Sequence, residues 1–142
     1  MSHWINSSSQ VIGVGSGMAT IVDLDIAVIQ GNQTIQTGGI HTYSYVLNLT
    51  KPSGEIGPTL VVGTLGVQPS GEALEIKFAT ISRTEIDTGS KEMFGHTGEI
   101  PLAQNDTIKL IVWAEQGFPD VLIATSTRTC SLALRRVLGQ GT

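Results

Sequence analysis

Apolar residues in this chain recur at every second position, in short runs closed off by glycine, proline or asparagine. Few folds accept that pattern. Residues 20–29 put Val22, Leu24, Ile26 and Val28 on one face and Asp23 and Asp25 on the other. Residues 42–50 do the same with Tyr43, Tyr45, Leu47 and Leu49 inward. Residues 74–80 and 108–113 alternate likewise, and residues 60–62, 121–124 and 130–138 read as further strands. A period of two is the mark of half-buried strands, and helical spacing is scarce. Gly31, Gly38-Gly39, Pro52, Pro69 with Gly71, Asn105-Asp106 and Gly117 with Pro119 break the runs. Glycine supplies positive φ there and proline presets a turn. Strands spaced by about 8–12 residues predict an all-β, antiparallel two-sheet β-sandwich.

The chain has 142 residues. That is one domain's worth of chain, and it shows no internal repeat. Residues 1–17 are rich in serine and glycine beyond Asn6 and read as a flexible lead. Residues 18–142 read as the single sandwich domain. Met1 to Asn6 carries neither the basic nor the apolar stretch of a secretory signal. No run approaches the roughly 20 apolar residues of a spanning helix.

Charged residues make up 14% of the chain, with 8 basic against 12 acidic and a net charge of −4. Nucleic acid binding needs a clustered basic face, and no lysine or arginine precedes Lys51. So the composition argues against nucleic acid, and the lack of an apolar span argues against membrane insertion. The low charge and a mean hydropathy of +0.16 predict a homo-oligomer, because monomers rarely leave large apolar patches bare.

Few residues suggest chemistry. Asp23 and Asp25, two apart on one strand, would point the same way. Calcium takes several such oxygens, but a solvated strand face explains the pair as well. His3, His41 and His96 lack metal-ligand spacing, and His96 falls in an apparent loop, Gly95-His96-Thr97-Gly98. Cys130 reads as a buried structural thiol. Gly13-Val14-Gly15-Ser16-Gly17 lacks the strand and helix that a phosphate loop needs. Arg135 and Arg136 fall on opposite faces of the last strand, as a solvated rim or as one anion or interface ligand. No catalytic residue, metal site or cofactor is predicted. The sequons at Asn6, Asn32, Asn48 and Asn105 are too common in a chain this rich in serine and threonine to mean anything.

Three segments, in order, resemble the jelly-roll family of tumour necrosis factor and complement globular heads. Relatives of that family include phage fibre heads and the C-terminal domains of exosporium collagen-like proteins. Residues 37–49, with Gly39, Tyr43 and Tyr45, resemble the family's strand that enters the inner sheet. Residues 98–110 resemble its Leu-x-x-Gly-Asp turn and strand, with Asn105 where the family has glycine. Asparagine tolerates left-handed φ, so the turn can persist. Residues 131–137 are similar to its closing strand. The resemblance implies jelly-roll topology and a trimer with inner-sheet aromatics near the threefold axis. It implies no reaction.

Tyr43, Tyr45, Ile111 and Trp113 are therefore the expected subunit-interface residues. Ile111 and Trp113 give their strand a second apolar face. The expected role is a non-enzymatic structural or appendage protein of a virion or cell-surface particle. The alternative is a glycan- or receptor-binding module. Sugars stack on exposed rings, and Trp4 and Phe118 read as the freer aromatics.

Overall fold

Ten strands form two antiparallel sheets in the computed structural model, which describes residues 1–12, 19–29, 33–51, 58–87, 89–116, 122–123 and 129–137. The strands are β1 (Ser2–Ile5), β2 (Thr20–Ile21), β3 (Ile26–Ile29), β4 (Gly39–Thr50) and β5 (Thr59–Gln68). They continue as β6 (Glu75–Ile86), β7 (Lys91–Leu102), β8 (Thr107–Gln116), β9 (Leu122–Ile123) and β10 (Ser131–Arg136). One sheet runs β3-β1-β10-β4-β7, with β9 also on β4; the other runs β2-β8-β5-β6. The chain crosses repeatedly between the layers, from β1 to β2 to β3 and from β6 to β7 to β8 to β9, as a jelly roll does.

Alternation decides the core. Tyr45, Leu47 and Leu49 of β4 meet Val61, Leu65 and Val67 of β5 and Ile108, Leu110 and Val112 of β8 between the sheets. Leu132, Leu134 and Trp4 fill the far side. β5 is longer than residues 60–62 suggested, because Gly63 and Gly66 continue the strand instead of ending it. A Cβ at Gly63 would collide with Leu47, and one at Gly66 with Ile111. Both glycines sit where a neighbouring side chain needs the space.

Three expectations need correction. Residues 20–29 are not one strand: β2 belongs to the four-stranded sheet and β3 to the six-stranded sheet. Val22 and Leu24 are buried at the crossing, while Ile26 and Val28 are 42% and 52% exposed. The 1–17 lead is not all flexible, because Ser2–Ile5 pairs with β10 and Trp4 is buried; residues 13–17 lie outside the described residues. His96 lies mid-strand in β7, not in a loop, because Gly95 and Gly98 there pair with Val46 and Tyr43.

The turn at Asn105 takes left-handed φ, 72°, as expected. Asp106 closes it by accepting the Ala103 N–H at 2.8 Å.

Candidate functional site

The outer face of the six-stranded sheet is unusual for a surface. Cross-strand pairing sets Ile26, Ile5, Ser131, Val46 and Gly95 in one row. Ile29, His3, Ala133, Ser44 and Thr97 form the next. Neither row holds a lysine, arginine, aspartate or glutamate, although both point away from the core. Charge returns towards the ends of the face, at Arg135 and Glu99 beside Thr42 and at Lys91 beside Thr50. β3 ends the face with four exposed apolar residues.

The same strand β4 turns its large residues the other way. Tyr43 and Tyr45 are 4% and 1% exposed. Their rings stack at 6.3 Å, and Tyr43 stacks on His96 at 5.8 Å. The Tyr43 hydroxyl lies 2.7 Å from His96 Nδ1. The Tyr45 hydroxyl reaches across the sandwich to the Gly63 carbonyl at 3.0 Å and Ser82 Oγ at 2.8 Å. Burial pushes the Tyr45 phenol up to about 12. These rings are therefore committed to their own protomer. Ile111 is buried, with Leu74 folded near it over Gly66. Trp113 is half-buried beside Val62 on the outer side of the four-stranded sheet. Of the four expected interface residues, Tyr43 and Tyr45 stack together on β4, while Ile111 and Trp113 lie on β8 of the other sheet. The tyrosines were expected there from the family resemblance, and Ile111 and Trp113 from the second apolar face of their strand.

A second feature lies on the edge strand β6. Between the pairs Gly63–Ser82 and Leu65–Lys77, Thr64 alone faces residues 78–81. Bulges of this kind re-aim side chains. Leu65 N–H donates to Thr80 Oγ1 at 2.8 Å, and Thr80 Oγ1 donates to the Lys77 carbonyl at 2.7 Å. The buried Thr64 hydroxyl lies 3.0 Å from Thr80 Oγ1. Stitched in this way, the bulge lifts Phe78 out to 73% exposure. Phe78 borders a groove of about 320 Å³ between the β6 and β7 edges, with Glu75, Lys77, Glu99 and Pro101. The freer aromatic is Phe78, not Trp4, which is 3% exposed; Phe118 lies outside the described residues. No glycine or proline marks the bulge, so the sequence carries no sign of it.

The remaining polar candidates have structural partners. Asp23 and Asp25 sit outside any strand, so no strand parity aligns them. Asp25 accepts the Ser7 N–H at 2.8 Å and the Ser7 hydroxyl. That hydroxyl bond lowers its carboxyl below the ordinary value. Cys130 is fully buried against the Asn48 backbone, and burial pushes its thiol up to about 11. Asn6 Oδ1 accepts the Cys130 N–H at 2.7 Å, so the Asn6 sequon amide is interior. The 13–17 glycine run lies outside the described residues.

No protein-family model matches the chain, and neither does any curated protein. Solved structures do. The chain superposes on murine APRIL with a TM-score of 0.63, 12% identity and 96% of this chain against 97% of that one. It superposes on the Eiger tumour necrosis factor of S. frugiperda with a TM-score of 0.54, 9% identity and 99% against 95%. The fold is a tumour-necrosis-factor-like jelly roll. At such identities the likeness is one of fold. Within this jelly roll the three resembling segments fall on β4, on the turn from β7 into β8, and on β10.

Proposed function

We propose that the protein is a non-enzymatic, homo-oligomeric jelly-roll head. It serves as a structural or appendage part of a virion or cell-surface particle. The observation that carries this reading is the pair of uncharged rows crossing five strands of the six-stranded sheet. Homomeric interfaces are the more apolar kind, with charge depleted at their centre. Three copies are what the family resemblance implies; the uncharged rows put Val46, Ser44 and Ala133 in the proposed contact. The non-enzymatic part rests on how the reactive side chains are used. Asp25 holds Ser7, Asp106 closes a turn, and His41 and His96 bond to Gly39 and Tyr43. Light scattering on a size-exclusion column tests the assembly. The expected mass is three times 15.0 kDa; a lone single-chain species at micromolar concentration rejects the reading.

A glycan- or receptor-binding role is the second reading, favoured by Phe78. An exposed ring on a pinned bulge, flanked by carboxylates and an ammonium, suits a sugar face. A glycan array is expected to give signals that Phe78→Ala abolishes. An array blank for both proteins rejects this role.

A further inference from the structure

A pocket at one end of the sandwich has a chemistry that neither reading above uses. It holds about 210 Å³. Its apolar lining is Met1, Trp4, Ile35 and Leu134, and its polar lining includes Thr34, Gln36, His41 and Arg136. That volume lies below the roughly 300–1,000 Å³ of sites for drug-sized ligands.

Arg136 and His41 are cross-strand partners on β10 and β4. Such neighbours stand about 5 Å apart at Cβ. Arg136 is held in place: its Nε donates to the Gly38 carbonyl at 2.9 Å. Gly39, at φ 143°, lies beneath it, and a Cβ there would stand 3.0 Å from Nε. Among the described residues only Nε of this guanidinium is bonded, and the fork of its terminal N–H groups matches a carboxylate. His41 is buried, with Nδ1 3.1 Å from the Gly39 carbonyl. A carbonyl only accepts, so in the neutral ring Nδ1 carries the proton and Nε2 is an acceptor. Among the described residues no carboxylate lines the pocket, in a chain with 12 acidic residues and 8 basic ones.

We propose that this pocket binds a small hydroxylated carboxylate of sugar-acid size. The ligand's carboxylate pairs with Arg136, one of its hydroxyls donates to His41 Nε2, and its carbon face lies on Trp4 and Leu134. The acceptor nitrogen is what favours a hydroxylated ligand over a bare oxyanion. The site lies within one chain, so the proposal does not depend on oligomer state or on Phe78.

Calorimetric titration with sodium glucuronate, glucose and inorganic phosphate tests it. Glucuronate is expected to saturate, with glucose and phosphate weaker by at least about tenfold, or 1.4 kcal/mol. Arg136→Gln is expected to weaken glucuronate by a similar factor. Because Arg136 also anchors Gly38, a second variant is needed. Gln36→Glu, at an exposed position, adds a carboxylate to the lining and leaves the fold intact by circular dichroism. It too is expected to cost at least about tenfold in affinity. The proposal is overturned if glucuronate fails to saturate at millimolar concentration. It is equally overturned if glucose or phosphate binds as tightly, or if Gln36→Glu leaves binding unchanged.

Discussion

Tyr45 and Cys130 are single residues with a measurable signature. Each keeps its proton longer in the fold than in the unfolded chain, because burial disfavours the charged form. Cys130 moves from 9.0 to about 11, and Tyr45 from 10.0 to about 12. Below pH 9 both are protonated in both states and their contribution is complete. Above it the unfolded thiol ionises while the folded one does not, and the unfolded phenol follows from pH 10. Unfolding is therefore favoured progressively, with the loss finished near pH 11 for Cys130 and near 12 for Tyr45. Each group forfeits on the order of 1–2 kcal/mol. Denaturation midpoints measured between pH 9 and 11 are expected to fall, and to fall less steeply in Cys130→Ala. A flat profile across that window contradicts the assignment. At this scale much was legible. The inward tyrosines, the buried thiol and the left-handed asparagine all follow from parity, residue type and turn chemistry. Trp4 and Phe78 were not, because their burial depends on which distant strand pairs with theirs and on a bulge without a marker residue.

Among the elements, β6 shows how local hydrogen bonding sets what a strand displays. Thr64 and Thr80 hold the extra residues of the bulge, and the Leu65 N–H has the Thr80 hydroxyl as its acceptor. Thr80→Val keeps the shape and removes that acceptor. A buried donor left unsatisfied costs about 1–3 kcal/mol. Urea denaturation is expected to show a loss of that size, and a change below about half a kilocalorie refutes the stitching role. Strand identity was readable where alternation was clean, in β4 and β8. It failed where glycines sit inside strands, in β5 and β7, because glycine reads as a breaker while here it makes room for Leu47 and for the neighbouring backbone. It also failed for residues 20–29, whose unbroken alternation hides a crossing from one sheet to the other. Alternation reports which side faces a core, not which sheet the strand joins.

At the scale of the whole molecule, the proposed assembly rests on the two uncharged rows of the six-stranded sheet. Val46 sits centrally in an uncharged row and is half-buried in the single chain. Val46→Asp therefore spares the core and places a carboxylate in the proposed contact, where burial without a partner is costly. A folded single-chain species is expected by light scattering and circular dichroism, and an intact oligomer rules out this face as the contact. Layer architecture was legible from turn spacing; the two uncharged rows were not, because they depend on register across five strands. The strand order carries one more consequence. β10 lies between β1 and β4, and Asn6 is bonded to Cys130, 124 positions later. A ribosome making this chain releases β1 long before the strand that ties it to the rest. Through most of synthesis Trp4 has no wall to lie against, and the six-stranded layer exists only as two fragments. Pairings this distant are slow to form and leave apolar surface bare meanwhile. The nascent protein is thus most in need of a chaperone just before its last strand emerges.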